Sequence, residues 1–379
     1  MISFLIRLAE KGFLPDFFIR IGIRRLSKVR LDFAKNSLPD EIEKRHDDWV
    51  QGMKKSPIAL VPEKANEQHY EVPPEFFEVV LGSNLKYSSG YWPEGIFSLN
   101  ESETAMLKLS CERAEIKDGH SILELGCGWG SLTCYMGKNF PKSKITAVSN
   151  SKDQKLFIEN RCKKDGLHNI SVITADMNDF SIDSEHDRVV SIEMFEHMRN
   201  YKKLLEKVSS FLKKEGKLFI HIFSHEFLVY PFVDNNEGDW MAREFFSGGM
   251  MPSHQLLLYF QDNLSIESTW RLSGTHYEKT SLAWLKNMDR NRTSIIKIFE
   301  KTYGVENANI WFQRWRIFFM SCEKLFGYNG GREWARYRCK SITPYERSCN
   351  NREWRHTLAS HNFEEACRST GCWQTSNLI

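Results

Sequence analysis

Leu123-Glu124-Leu125-Gly126-Cys127-Gly128-Trp129-Gly130-Ser131 is the stretch whose reading decides the fold of this chain. The run Ser121–Leu125 reads as a short strand. It breaks into glycines at 126, 128 and 130, and from Ser131 to about Lys138 the residues read as a helix. A strand that enters a helix through glycines turns sharply there. Bare backbone then lies close to any ligand at the strand's carboxyl end. A dinucleotide fingerprint would need its third glycine at position 131, which is Ser131.

Outward from this turn, short β-rich runs alternate with helical ones. Strands are predicted at Lys144–Ser149, Ile170–Thr174, 188–192 and 217–223, with helices at about 152–164 and 201–212. Such alternation predicts right-handed βαβ units, hence an α/β fold with a mostly parallel, Rossmann-like sheet and helices on both faces. Residues 1–60 read as an N-terminal helical segment, 61–336 as the main domain with a cap insertion at about 225–290, and 337–379 as an atypical, poorly packed tail. In 13–30, Phe, Ile and Leu alternate with Arg20, Arg24, Arg25, Lys28 and Arg30. The segment is read as a helix docked on the domain with a solvated basic face. The competing reading is a helix lying on an anionic membrane.

The bulk numbers bound the function. The 379 residues are 41% hydrophobic and 27% charged, as in globular proteins. A net charge of +3 is too mild for a nucleic-acid binder. The nine cysteines lack CxxC spacing, so neither a disulfide framework nor a zinc site is expected, and a reducing cytoplasm fits best. No metal is called for. No run is long and apolar enough to span a membrane, and 1–11 lacks the features of a signal peptide.

The spacing Glu-x-Gly-x-Gly-x-Gly resembles motif I of S-adenosylmethionine methyltransferases. More motifs carry a specific resemblance: Lys86-Tyr87-Ser88-Ser89-Gly90-Tyr91-Trp92, Ser191-Ile192-Glu193-Met194-Phe195-Glu196-His197-Met198, Tyr277-Glu278-Lys279-Thr280 with Trp284, and Leu325-Phe326-Gly327-Tyr328-Asn329-Gly330-Gly331-Arg332-Glu333-Trp334. Together they resemble the cyclopropane fatty acid synthase family, and within it the coclaurine N-methyltransferase-like branch, over roughly residues 60 to 336. The resemblance implies S-adenosyl-L-methionine as cofactor. It implies a cofactor site of Tyr87, Ser88, Glu124, Gly126, Gly128, Gly130, Asn150, Gln154, Asp176 and Met177. Glu124 would balance a cationic ligand, Asn150 and Gln154 would meet the ribose hydroxyls, and Asp176 and Met177 would meet the adenine. The competing reading of Asp176 is a cap of the next helix.

Glu193, Glu196 and His197 stand together at the end of the fourth strand, the sheet edge where ligands bind in open α/β folds. Two carboxylates and an imidazole suit removal of a proton from an amine, and the competing reading is a solvated helix start. The resemblance implies that Glu196 and His197 contact the substrate amine with Glu193 beside them. Lipid-cyclopropanating relatives instead hold bicarbonate as base, through a Cys replaced here by Ser89 and through the counterparts of Glu196, His221 and Tyr277.

The expected function is therefore methylation of a small amine. The alternative is methylene or methyl transfer to an unsaturated phospholipid, with the N-terminal helices on a membrane. A non-enzymatic interaction protein is a third reading, and an oligomer is left open. Relatives end in an apolar strand soon after the position of Trp334. Arg336-Tyr337-Arg338-Cys339 departs from that pattern, and the final strand is expected to be missing or altered.

Overall fold

The computed structural model describes residues 2–60 and 72–344. Strand β1 (Ser121–Leu125) buries Ile122, Leu123 and Leu125, and it pairs in parallel on both sides. Ile122 lies opposite Ile145 of β2 (Lys144–Ser149) and Arg188 of β4 (His186–Ile192). β3 (Ile170–Thr174) continues the sheet past β2, and β5 (Leu212–His225) continues it past β4. β6 (Tyr230–Pro231) and β7 (Met250–Met251) form a separate small ribbon. β8 (Leu264–Leu272) and β9 (Trp334–Pro344) return to the main sheet, whose order is β3-β2-β1-β4-β5-β9-β8 with β9 antiparallel to both neighbours. The order reverses between β1 and β4. In an open α/β sheet that reversal opens a crevice at the carboxyl ends of the strands.

Alternate residues of the central strands feed opposite faces. Ile122 and Val190 pack with Leu107 and Cys111 of α5 (Leu99–Arg113) and with Leu132 and Met136 of α6 (Ser131–Asn139). Leu123 and Val189 pack on the other face with Val50 and Met53 of α3 (Pro39–Lys55) and with Leu204 and Val208 of α8 (Tyr201–Ser210). Some helix starts around the sheet carry side-chain caps. Ser98 and Glu101 form a reciprocal capping box at α5, and Ser151 accepts from the Gln154 amide at α7 (Lys152–Asp165).

A third, aromatic-rich layer covers the crevice. It joins α4 (Pro74–Val80), α9 (Trp240–Glu244), α10 (Thr275–Arg290), α11 (Arg292–Tyr303) and α12 (Val305–Phe326) around the buried rings of Phe76, Trp284 and Trp315. The covering layer thus runs on to Phe326 rather than ending at about 290. α1 (Ile2–Glu10) and α2 (Asp16–Lys35) dock on α12, with Arg20 Nε 3.0 Å from Glu323 and Arg316 Nη2 2.8 Å from Asp16. The opposite side of α2 exposes Phe17, Phe18, Val29 and Phe33.

Strand boundaries also differ from expectation. β5 starts at Leu212, five residues before the expected 217 and on the residue where the expected helix ends. The expected tail begins inside a strand, because β9 runs to Pro344 with its backbone paired to β5 on one side and β8 on the other. That double pairing satisfies backbone donors and acceptors without the apolar composition that the sequence reading sought. Residues 345–379 lie outside the described residues. Among the described residues no helix is long and apolar enough to cross a membrane.

Candidate active site

Gly126 (φ 79°) and Gly128 (φ 53°) bend the chain out of β1 in the left-handed region. A Cβ on Gly126 would come within 2.7 Å of the Met194 side chain, whereas one on Gly128 would meet nothing within 4 Å. The turn therefore lies against β4's exit on one side and borders open space on the other. That space consists of two adjoining cavities, which share Gly126, Gly128, Gln154 and His197. The first takes in Tyr87, Ser88, Glu124, Trp129, Glu193 and Tyr277. The second runs past Ser149 and Asn150 to Asp176 and Met177.

The cofactor-side residues named from the sequence converge here, with Gly130 at the amino end of α6. Glu124 is fully buried and accepts a 2.6 Å hydrogen bond from Thr133 Oγ1. Burial pushes its pKa up to about 8, so at neutral pH the carboxyl group is mostly protonated until a cation comes beside it. Gln154 accepts from Ser149 Oγ through Oε1 at 2.6 Å. Its Nε2, together with Trp129 Nε1 and Ser131 Oγ, is buried without a hydrogen-bond partner among the described residues. All three residues line the first cavity. Such orphaned polar atoms are rare in folded proteins, and their convergence marks a polar ligand's place. Asp176 accepts from the Asn178 amide at 2.7 Å, so it caps a turn, not a helix, while still lining the second cavity. Tyr87 packs its ring on Phe77 (centroids 5.0 Å apart) and Trp284 (5.8 Å).

Across the first cavity stands a second group. Glu193 leaves β4 with a left-handed φ of 52°, held by its N–H donating to the His221 carbonyl at 2.7 Å. A tight turn, Phe195–His197, follows. Tyr277 on α10 donates through its hydroxyl to Glu193 Oε2 at 3.3 Å. The His197 ring stacks on Phe246, with centroids 4.5 Å apart and planes at 25°. Burial pushes its pKa down to about 4, so the imidazole is neutral at physiological pH. Phe223 and Phe318 complete an aromatic wall.

Two expected catalytic residues are not in the lining. Glu196 is fully buried and accepts the Phe223 amide at 2.7 Å, so its carboxylate braces β5. Successive residues of a 3₁₀ turn project about 120° apart, so His197 and Glu196 do not share a face. His221 is fully buried within β5 and lines neither cavity. Ser89, in place of the cyclopropanating cysteine, is likewise buried and donates to the Gly90 carbonyl at 2.7 Å. Of the four positions tied to bicarbonate, only Tyr277 lines the cleft. Sequence reasoning gave no role to Lys86, Phe223, Phe246 or Phe318, all of which line the first cavity. Lys86 lies inside the motif at 86–92, where its spacing alone gives it no role. The phenylalanines come together only through folding.

Comparison with known proteins then places the molecule. The family model for mycolic acid cyclopropane synthetase matches residues 61–330. The chain belongs to this family. It is similar to the (S)-coclaurine N-methyltransferase of Thalictrum flavum subsp. glaucum, 39% identical over 334 residues, covering 87% of this chain and 92% of the relative. It is also similar to the cyclopropane-fatty-acyl-phospholipid synthase of Escherichia coli (strain K12), 30% identical over 220 residues, covering 58% and 54%. A crystal structure of coclaurine N-methyltransferase bound to N-methylheliamine and SAH superposes with a TM-score of 0.87 at 36% identity, covering 89% of this chain and 99% of that one. This member of the cyclopropane synthetase family is an S-adenosylmethionine-dependent methyltransferase. The orphaned Gln154, Trp129 and Ser131 atoms and the open cradle at Gly128 fit that cofactor.

Proposed function

We propose that this chain transfers a methyl group to the nitrogen of a small secondary amine that carries an aromatic ring, a coclaurine-like acceptor. The observation that carries the reading is the Glu193–Tyr277 pair, with neutral His197, facing the glycine turn across one aromatic-walled cavity. When bound, the cofactor supplies a methyl group on a sulfonium sulfur, ready for direct displacement. The protein's contribution is alignment, which is worth up to about 7–11 kcal/mol in well-oriented systems. Glu124 balances positive charge at the amino-acid end, and Asn150, Gln154, Asp176 and Met177 hold the adenosine end. Glu193 holds the acceptor's ammonium and would accept its proton, which frees the nitrogen lone pair to bond the methyl carbon while the leaving sulfur keeps the electrons of the broken carbon–sulfur bond. His197, uncharged, accepts a hydrogen bond from the nitrogen without repelling the cation. The Phe223, Phe246 and Phe318 rings hold the acceptor's apolar body and face its charge, at about 0.5–2 kcal/mol for each cation–ring contact.

The lipid alternative has less support, because Ser89, Glu196 and His221 lie off the cleft. Methyl-labelled cofactor offered with an aromatic secondary amine and with unsaturated phospholipid vesicles separates the two. Label in the N-methyl product supports the amine reading, and label only in the lipid fraction refutes it. We place the enzyme in the cytoplasm, where the unbridged thiols of Cys111, Cys127, Cys134, Cys162 and Cys322 stay reduced. We also assign α2's exposed Phe17, Phe18, Val29 and Phe33, flanked by Arg25 and Lys28, to contact with an anionic membrane. Co-sedimentation with anionic but not neutral vesicles tests this, and a dimer in light scattering without vesicle binding contradicts it.

A further inference from the structure

We propose that the Lys86 ammonium anchors the carboxylate at the amino-acid end of the cofactor, in the cavity it shares with Glu124, which takes the ammonium of the same end. Lys86 is 2% exposed and lines the first cavity. A lysine so deeply buried needs polar or charged neighbours, and Glu103 acts on it from the protein side. Its Nζ contacts the Ser88 hydroxyl, which lines the same cavity. The loop that carries it is held rigid from behind. Glu103, fully buried, accepts the amides of Gly82 and Asn84 at 2.9 Å and that of Lys86 at 3.4 Å. Leu85, just before Lys86, is kept at φ 54°, a conformation a branched apolar residue adopts only when its surroundings impose it.

The amino-acid end of the cofactor is a zwitterion. A cavity with a buried ammonium and a buried carboxyl group in its lining, beside open backbone at Gly128, is complementary to both of its charges. Burial of Glu124 fits this pairing, because at neutral pH a cation beside it favours loss of its proton. The competing role for Lys86 is structural, neutralising Glu103 alone. The two roles differ in one respect: only an anchor discriminates between ligands with and without the carboxylate.

The inference rests on the cofactor and not on the identity of the acceptor. The test is calorimetric binding of S-adenosylhomocysteine and of decarboxylated S-adenosylmethionine to the full chain and to Lys86→Met. The anchor predicts that Lys86→Met weakens S-adenosylhomocysteine about 10- to 100-fold, the range of a charge-assisted hydrogen bond, and leaves the decarboxylated ligand within about twofold. Lys86→Arg should recover part of the lost affinity. Equal weakening of both ligands, or no change in either, would overturn the proposal. If Lys86→Met does not fold, Lys86→Gln carries the same comparison. Failure of the unaltered chain to bind either ligand would overturn the cofactor assignment itself, which keeps the two failures distinct.

Discussion

The hydroxyl of Tyr277 donates to Oε2 of Glu193 at 3.3 Å, so helix α10 of the covering layer is tied to the carboxyl end of β4. The two residues are far apart in sequence, and the bond exists only once the layer has closed over the sheet. It orients a carboxylate that an unusual backbone conformation has already lifted into the cleft. Tyr277→Phe removes the donor and keeps the ring stacked on Phe326, whose centroid lies 4.4 Å away. Steady-state kinetics should show kcat reduced about tenfold, the equivalent of one hydrogen bond of ordinary strength, with S-adenosylhomocysteine affinity unchanged. An unchanged kcat would remove Glu193's orientation from the account.

Glu124 links pH to both binding and stability. Its folded pKa of about 8 lies above its ordinary value of 4.5, so the folded protein holds this proton more tightly than the unfolded chain. The contribution to stability is full below about pH 4.5 and is lost as pH rises through 8. Glu124→Gln removes that loss. Without ligand, its melting temperature relative to the unaltered chain should therefore climb between pH 5 and 8 and then level off. S-adenosylhomocysteine binding should release a proton near pH 7, seen as buffer-dependent calorimetric heat, and Glu124→Gln should abolish the release. Buffer-independent heats for the unaltered chain would contradict this.

His197 is held neutral, with a pKa of about 4. Its protonation therefore contributes no limb to the activity profile between pH 5 and 9. His197→Gln should lower kcat by about tenfold, the loss of one hydrogen bond to the acceptor nitrogen, at every pH in that range. A profile whose acid limb disappears in His197→Gln would show that the imidazole titrates there.

Glu196 braces the strand next door through the Phe223 amide. Glu196→Ala leaves that buried N–H without a partner and should cost about 1–3 kcal/mol of stability, read from urea unfolding. Glu196→Gln keeps an acceptor oxygen and should cost clearly less. Equal losses would mean that the bond is not what the carboxylate contributes.

β9 sits between β5 and β8. A chain ending at Ala335 strips β8 of its only strand neighbour in the described sheet and should be insoluble or lack a cooperative melt. A chain ending at Pro344 should melt cooperatively. A folded, active protein ending at Ala335 would show that the edge is dispensable.

The parallel sheet and the crevice at its strand ends were legible because their determinants are local. Ser121–Leu125 followed by glycines at 126, 128 and 130 announces a strand, a turn and a helix within ten residues. Glu193 and His197 could be placed at the end of β4 for the same reason. Their division from Glu196 was hidden, because it depends on the left-handed φ at Glu193 and on a 3₁₀ turn. β9 was missed although Arg336, Arg338 and Lys340 alternate with Tyr337, Cys339 and Ser341 at the strand period of two. The run is not apolar, and a strand paired on both edges does not need an apolar composition to satisfy its backbone. The aromatic wall and the burial of Lys86 are tertiary facts, set by helices packed from distant parts of the chain.

The central claim is one of position: the methyl donor's sulfur lies in the first cavity, facing Glu193, Tyr277 and His197. A crystal structure of the chain with S-adenosylhomocysteine and an aromatic secondary amine tests it directly. The account predicts the amine nitrogen beside Glu193, in line with the sulfur and separated from it by the space of one methyl group, so that a methyl on that sulfur would sit about 3–3.5 Å from the nitrogen. A sulfur lodged outside this cavity, or an amine bound away from Glu193 and His197, would contradict it.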